Sequence, residues 1–382
     1  MGAFAPYDPK EPPSAVSTVD RADAPLVRFS LADHARHAAA SGRYVAIAAT
    51  LAALDFSGLA RVAPDRLRGR GAILTLHHVR PIEPGCFRAS PHLEVTPDFL
   101  DTLIRRLLHL GWEPIALGDV PARLAAPDDG RRFVAFTLDD GYRDNLVHAL
   151  PVFERHGVPF TVFATSGFVR RERTIWWQTL ERTLEAVDDL RFATGDRTLR
   201  FACAGSLAKT MTFRRIVDWM ATVDEDAITA VLDRVAADHD VSASAVTDDL
   251  VMNVDELRTL ARSPLATIGA HTHGHPNLRR LDPDRLAREI RRGADDLAEI
   301  LGTRPTVFAY PYGTRASAGT REFAAARDFA LAVTTTPGTL GAADLGRLTA
   351  LPRISINGLF QHTGWIEALL SGWPFLLDRH RA

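Results

Sequence analysis

The stretch Phe133-Val134-Ala135-Phe136-Thr137-Leu138-Asp139-Asp140-Gly141 joins an apolar run to two adjacent carboxylates. A short apolar run that ends in a turn signal is typical of a strand buried on both faces, as in a parallel sheet. Adjacent carboxylates repel each other unless a cation offsets their charge. Because neighbouring residues at a strand end point in different directions, one carboxylate could bind a metal ion while the other faces a substrate. The simpler interpretation is an acidic turn closed by Gly141.

Short apolar strands alternate with amphipathic helices on both sides of this stretch. Besides Phe133–Leu138, the pattern predicts strands over residues 72–76, 160–164, 267–270, 307–310, 330–334 and 352–356. It also predicts a helix that starts at Pro97 behind the N-cap Thr96, and another that runs from Pro283 to Gly302. Strands and helices in this order indicate βα units around a parallel sheet, so the predicted fold class is α/β.

A second motif, His271-Thr272-His273-Gly274-His275, directly follows the predicted strand 267–270. The spacing of four puts the imidazoles of His271 and His275 on one side of the chain if the segment turns helically. Such a pair favours metal binding, although a polar surface loop is the alternative.

The third motif is Tyr310-Pro311-Tyr312-Gly313, again directly behind an apolar strand. Pro311 fixes φ and Gly313 permits a tight turn, so the loop could present a backbone N–H to a ligand or be no more than a turn. All three motifs follow predicted strands. In (β/α) barrels the carboxyl ends of the strands form the rim that holds the active site.

These motifs resemble those of the polysaccharide deacetylases, the carbohydrate esterase family 4 or NodB-homology enzymes. The Thr137–Gly141 stretch resembles their Thr-Phe-Asp-Asp-Gly motif, 271–275 is similar to their His-Ser/Thr-x-x-His motif, and 310–313 to a third motif that usually ends in Pro-Tyr-Gly. The order and the strand context agree over about residues 72 to 356. The resemblance implies a distorted, partly open (β/α) barrel with a helical insertion, and a divalent-metal-dependent amide hydrolase.

The resemblance also implies site roles. It makes Asp139 the general base. It assigns one divalent metal ion to three ligands, Asp140, His271 and His275. The backbone N–H of Tyr312 would help to hold the oxyanion. Two histidines and a carboxylate suit Zn²⁺, the expected ion, and also Co²⁺ or Ni²⁺.

The chain departs from the family pattern at two places. Many members carry an arginine that pairs with the base where this chain has Ala309, and Arg353 is the candidate replacement, with an arginine on a surface turn as the alternative. The usual late histidine motif, whose histidine serves as acid, is not recognisable around His362. His77, at the end of the first strand, is the candidate acid, and a plain structural histidine is the alternative.

The chain divides by composition into an extension and a catalytic domain. Residues 1–70 are predicted to form an N-terminal extension, loosely ordered over 1–24 and helical thereafter. Residues 71–360 are expected to form the deacetylase domain, and 361–382 a C-terminal helical tail. A long polar stretch over about 169–255 breaks the strand–helix rhythm and is predicted to be a helical insertion on the same domain.

Two adjacent tryptophans, Trp176 and Trp177, stand near the start of this insertion. Indole rings at the catalytic rim could stack on sugar rings, so they are candidate substrate-binding residues. Packing in a core is the alternative.

The composition limits the partners and the location. Forty-five Lys plus Arg against 47 Asp plus Glu leave a net charge of −2, which gives no overall field to attract nucleic acid. The two cysteines, Cys86 and Cys203, cannot build a disulfide framework. No signal peptide or membrane-spanning segment is recognisable, so a cytoplasmic protein is expected. A helix over 44–54, followed by basic residues at 66–70, could give weak association with a membrane surface.

The leading functional hypothesis is removal of an N-acetyl group from an amino sugar of a glycan or glycolipid precursor. One alternative keeps the metal site and changes the reaction to O-acetyl ester or cyclic-amide hydrolysis. A third hypothesis is a catalytically silent glycan-binding homologue. The missing arginine at Ala309 and the missing late histidine motif keep it open, whereas an intact base beside the metal ligands argues against it.

Overall fold

The computed structural model describes residues 24–194, 197–220 and 223–376. They form two compact units. The insertion unit comprises the described part of Met1–Tyr44, Glu83–Ala89 and Thr174–Asp249, and the barrel unit comprises Val45–Ile82, Ser90–Arg173 and the described part of Leu250–Ala382. The predicted loosely ordered segment 1–24 lies almost entirely outside the described residues, as does the end of the predicted C-terminal tail, 377–382.

Helices and strands alternate along most of the chain. The helices are α1 (Leu31–Phe56), α2 (Asp65–Arg68), α3 (Pro97–His109), α4 (Val120–Ala125), α5 (Leu150–His156), α6 (Ser166–Val169), α7 (Trp176–Ala186), α8 (Ser206–Met220), α9 (Glu225–Ala237), α10 (Ala243–Leu250), α11 (Val254–Leu260), α12 (Pro283–Leu301), α13 (Thr320–Ala325) and α14 (Thr363–Leu370). The strands are β1 (Gly71–Leu76), β2 (His78–Val79), β3 (Glu94–Val95), β4 (Glu113–Pro114), β5 (Phe133–Leu138), β6 (Phe160–Ala164), β7 (Asp189–Thr194), β8 (Arg197–Ala202), β9 (Ala266–Ala270), β10 (Val307–Ala309), β11 (Leu331–Val333) and β12 (Ile354–Ser355).

The barrel unit is built around an eight-stranded parallel sheet. The strand order is β11-β10-β9-β6-β5-β1-β12, and β4 pairs with the first two residues of β5. Leu76 pairs with Leu138, and Ala164 pairs with Ala270, so the carboxyl ends of β1, β5, β6 and β9 lie at one edge. The residues that follow these strands therefore meet on one rim.

The two ends of the curled sheet approach each other through one segment. Leu351 forms a parallel bridge with Val333 of β11, and three residues later Ile354 pairs with Leu74 of β1. The segment that contains Arg353 thus connects both ends of the sheet. This arrangement confirms the predicted α/β fold, a distorted and partly open (β/α) barrel, in which β5 and β6 have the predicted bounds.

The central strands bury both faces, as parallel strands do. On one face Leu74, Phe136 and Val162 pack with the apolar sides of α3, α5 and α12. On the other face Ala135 and Phe163 belong to a second, smaller cluster. Because side chains alternate along a strand, Asp139 lies on the same face of β5 as Ala135.

The insertion unit has its own apolar core, which includes Trp176, Phe192 and Trp219. Residues predicted to be mostly helical contain an antiparallel pair, β7 and β8. Alternation of buried and exposed residues in β7 explains the strand, since Leu190 and Phe192 are buried and their neighbours are not. The prediction that the insertion belongs to the same domain as the barrel stays a prediction.

Among the described helices, none combines the length and the apolar character needed to cross a bilayer.

Candidate active site

Arg353 lies against Asp139 in the interior of the barrel unit. Its Nη1 donates to Asp139 Oδ1 at 2.7 Å and its Nη2 to Oδ2 at 2.6 Å, so both oxygens are bound. Arg353 is 1% exposed and Asp139 2%. The guanidinium is itself fixed, because Nε donates to the Thr334 carbonyl at 2.9 Å and Nη1 also donates to Thr137 Oγ1 at 3.0 Å. The sequence suggested this pair, and the structure brings its members together.

Asp140 turns away from Asp139 toward two imidazoles. Its Oδ1 lies 3.4 Å from Nε2 of His271 and 3.4 Å from Nε2 of His275. All three residues are buried, and one donor atom from each lies within 4.8 Å of the others. They are the three residues that the resemblance assigns to the metal.

The donor set fits a divalent ion. Ligand atoms about 2.1 Å from a tetrahedral metal ion lie about 3.4 Å apart, which is the spacing between the Asp140 oxygen and each imidazole nitrogen. The Nδ1 of His271 lies 2.7 Å from the Ala309 carbonyl oxygen, an arrangement that leaves the Nε2 lone pair free for a metal. The backbone of His275 is fixed by its N–H, which donates to Thr272 Oγ1 at 2.9 Å.

The backbone of the site is held in the left-handed region. Six non-glycine residues of the described chain have positive φ, and four belong to the three motifs: Asp140 (73°), Thr272 (65°), His275 (62°) and Tyr312 (59°). Such conformations cost about 1–3 kcal/mol each and persist only where the surroundings enforce them. Their concentration at one site, which the sequence did not reveal, indicates a built functional centre.

Burial and charge pairing shift the pKa values of the site residues in opposite directions. Burial raises the pKa of Asp139, but Arg353 outweighs burial, and the net pKa lies below its ordinary value. Burial also raises the pKa of Asp140, yet bonds with His271 and His275 hold it well below that value. Burial lowers the pKa of His271, whereas the adjacent Asp140 raises it, and the net pKa is raised. Both carboxyl groups are therefore ionised at neutral pH.

His77 also reaches the site. Its Nε2 lies 4.0 Å from Asp139 Oδ2, and burial lowers the pKa of its ring. The segment that carries His77 is fixed by two residues that sequence reasoning missed. Asn145 Nδ2 donates to the His77 carbonyl at 2.8 Å, and Asp144 Oδ2 lies 2.6 Å from Nδ1 of His78. The sequence feature that could have indicated Asp144 and Asn145 is their position at the start of a helix, shortly after the Asp-Asp-Gly turn.

Tyr312 lies beside His275. Its ring packs edge-on against His275, with the centroids 4.9 Å apart, and its side chain is 37% exposed. His362 is not part of the site, since its Nδ1 lies 3.7 Å from Asp55 Oδ2 on a largely exposed surface.

The two tryptophans lie in the insertion unit. Trp176 is buried in the core of that unit, and Trp177 is half-buried against the same core. Their rings meet edge-on with centroids 5.4 Å apart. The packing alternative therefore describes Trp176, and sugar stacking by Trp177 stays a prediction.

Comparison with known proteins gives one family match. Residues 126–192 and 207–331 match the model of a family described as polysaccharide deacetylase. The matched segments contain Asp139, Asp140, His271 and His275. No curated protein sequence gives a significant match.

The solved structures to which this chain is similar include the following three, two of which are described as a deacetylase or a de-N-acetylase. The Streptococcus pyogenes deacetylase PplD in complex with acetate is 17% identical, with 75% of this chain and 92% of that chain covered and a TM-score of 0.48. IcaB from Ammonifex degensii is 16% identical, with 79% of this chain and 97% of that chain covered and a TM-score of 0.48. A de-N-acetylase from Aggregatibacter actinomycetemcomitans is 12% identical, with 78% of this chain and 99% of that chain covered and a TM-score of 0.48.

Proposed function

Because this chain belongs to the polysaccharide deacetylase family, a class of hydrolases, we propose that it removes the N-acetyl group from an amino sugar by metal-dependent hydrolysis. One observation carries the proposal. A carboxylate held by an arginine, Asp139 with Arg353, stands next to the carboxylate and two imidazoles of Asp140, His271 and His275. This is the arrangement that a general base and a metal centre need when they act on the same carbonyl.

The chain's own residues supply binding, orientation and proton transfer. Asp140, His271 and His275 hold one divalent ion, with Zn²⁺ expected and Co²⁺ or Ni²⁺ as alternatives set by availability. When bound, such an ion polarises a carbonyl and lowers the pKa of water. Asp139 accepts a proton from the attacking water, in a position that Arg353 fixes.

Two further groups complete the reaction. The backbone N–H of Tyr312 donates to the oxyanion, a contribution of about 3–4 kcal/mol for one good donor. His77 donates a proton to the leaving amine. Because burial lowers the pKa of His77, its ring is neutral before the reaction. The proton that Asp139 takes up is the nearest source of a proton for this ring, since His77 Nε2 lies 4.0 Å from Asp139 Oδ2.

The proposed substrate is an N-acetylated glycan or glycolipid precursor. The experiment measures acetate release from N-acetylglucosamine oligosaccharides and from O-acetylated xylan, ring opening of a cyclic amide, and glycan binding, with Asp139→Asn as the inactive control. The proposal predicts release from the N-acetylated substrate that Asp139→Asn abolishes. Release from xylan alone would identify an O-acetyl esterase, opening of a cyclic amide without acetate would identify a cyclic-amide hydrolase, and binding without turnover would identify a silent homologue.

The insertion unit is proposed to shape substrate binding rather than the chemistry, with Trp177 as the stacking residue. Trp177→Ala should weaken binding of the product glycan, whereas Trp176→Ala should mainly lower stability because Trp176 is 8% exposed. Unchanged glycan binding in both variants would contradict stacking.

We place the reaction in the cytoplasm, with weak association with a membrane surface. Cys86 and Cys203 are free thiols, which suits a reducing compartment. Near the end of α1, Phe56 is 97% exposed and Val62 71%, with Arg61 between them also exposed. Apolar side chains beside a basic one suit contact with an anionic lipid surface.

A further inference from the structure

The loop that carries both histidine ligands lies on one face of α12. The residues of α12 that meet it are Glu289, Gly293 and Asp296, spaced by four and three positions, so they form one stripe along the helix. We call them the α12 stripe. Each member contacts the loop in a different way.

Glu289 binds two backbone N–H groups of the loop. Its carbonyl accepts from the His273 N–H at 3.1 Å, and its Oε2 accepts from the Gly274 N–H at 2.8 Å. Glu289 is 9% exposed, so these bonds are shielded from water. Buried N–H groups need such partners, and here one residue supplies both.

Gly293 lets the loop backbone lie directly on the helix. A Cβ at this position would stand 2.4 Å from the Thr272 carbonyl carbon and 2.8 Å from the His273 nitrogen. Any side chain would therefore displace the loop. Thr272 is the residue whose hydroxyl binds the N–H of His275.

Asp296 binds the middle histidine of the motif. Its Oδ2 lies 3.0 Å from His273 Nδ1 and accepts from Ser166 Oγ at 2.7 Å. His273 is 2% exposed, and its Nε2 lies 3.7 Å from Glu172 Oε2. The His273 ring is thus fixed between carboxylates, and the proposed chemistry does not use it.

The loop is also bound by α6. Ser166 N–H donates to the Thr272 carbonyl at 3.2 Å, and Gly167 N–H donates to the His273 carbonyl at 2.9 Å. The segment between the two ligands is therefore held by two elements, α6 and the α12 stripe.

We propose that the α12 stripe, acting through His273, is a positioning element that sets the spacing of His271 and His275 for the metal ion. This inference rests on the proposed metal site. Groups that orient metal ligands typically change metal affinity about 10- to 100-fold when they are removed.

The first test is Gly293→Ala, with Co²⁺ as the probe. Alanine strengthens a helix relative to glycine, so far-UV circular dichroism should be retained, but the clash with the loop backbone is destabilising and should lower the melting temperature. Co²⁺ affinity, measured by competition with a chelator, should fall about 10- to 100-fold, and the visible Co²⁺ spectrum should change because the ligand geometry changes.

The second test compares two substitutions of Asp296. Asp296→Ala should weaken Co²⁺ binding, and Asp296→Asn, which keeps an acceptor oxygen, should restore part of the affinity. Asp295→Ala is the matched control, because Asp295 is an exposed neighbour that pairs with Arg304 at the surface.

Parent-like Co²⁺ affinity and spectrum in both Gly293→Ala and Asp296→Ala would overturn the inference while leaving the metal site intact. A parent chain that binds no Co²⁺ would instead overturn the metal site, and this inference with it.

Discussion

Arg353 and Asp139, which are 214 positions apart in the chain, form a bidentate ion pair in the interior of the barrel unit. The segment that links both ends of the curled sheet delivers the arginine. Leu351, two positions before Arg353, pairs with β11, and Ile354, directly after Arg353, pairs with β1. The resemblance implies an arginine at position 309, where this chain has Ala309, and here Arg353 is the residue that pairs with Asp139.

Replacing Arg353 tests this pair. Arg353→Ala leaves a buried carboxylate without its partner, which should lower the free energy of unfolding by about 3–5 kcal/mol. Arg155→Ala, which removes an exposed partner of Asp101, should cost about 1 kcal/mol or less. Denaturant unfolding of both variants measures the difference. Equal losses would contradict a special role for the buried pair.

Arg353→Lys separates charge from geometry. Lysine keeps the positive charge but cannot bind both carboxylate oxygens in one plane, so turnover should fall even where the fold is retained. Parent-like turnover in this variant would show that charge alone suffices.

Asp139 is predicted to be a base and not a metal ligand. Asp139→Asn should keep the metal content of the parent while turnover falls about 100-fold or more, because the amide cannot take up a proton. Metal analysis and acetate release measure the two quantities. Asp344→Asn, at another buried aspartate, should leave turnover unchanged. Near-normal turnover in Asp139→Asn would mean that another group accepts the proton.

His77 is predicted to protonate the leaving amine, and the leaving group itself can test this. His77→Gln should lower turnover of an N-acetyl sugar about 100-fold. It should have little effect on an aryl acetate, because an aryl oxide leaves without a proton. The exposed His109→Gln serves as control. Equal losses on both substrates would assign His77 a structural role instead.

The exposed end of α1 leads to a prediction about where in the cell the protein is found. The full chain should fractionate with the cytoplasm, and a minor share should sediment with membranes and be released by salt, since basic residues contribute about 1 kcal/mol each near anionic lipid. Phe56→Ser should reduce that share because Phe56 is 97% exposed. Recovery mainly from periplasm or medium would contradict the cytoplasmic assignment.

Local patterns predicted the barrel strands and their motifs well. The bounds of β5 and β6 agree residue for residue, and α12 begins behind the cap Asp282, whose side chain accepts from the Arg285 N–H at 2.9 Å. The apolar strand patterns and the helix cap lie within a few residues of the strand or helix that they specify. The three motifs meet because parallel strands end on one rim.

The parts that sequence reasoning missed depend on distant partners or on a neglected turn signal. In α12, Glu289 and Asp296 look like the polar side of an amphipathic helix, and only the folded chain shows that they bind the loop 271–275. The strands β7 and β8 are separated by Gly195-Asp196, a pair typical of a two-residue hairpin, so that signal was present.

The most direct test of the central claim combines metal content with acetate release in the parent and in His275→Ala, with His109→Ala as control. The account predicts one divalent ion per parent chain, loss of N-acetyl hydrolysis on chelation and its return when Zn²⁺ or Co²⁺ is added, with metal and activity both largely absent in His275→Ala. Full activity in the metal-free parent, or full metal occupancy in His275→Ala, would contradict it.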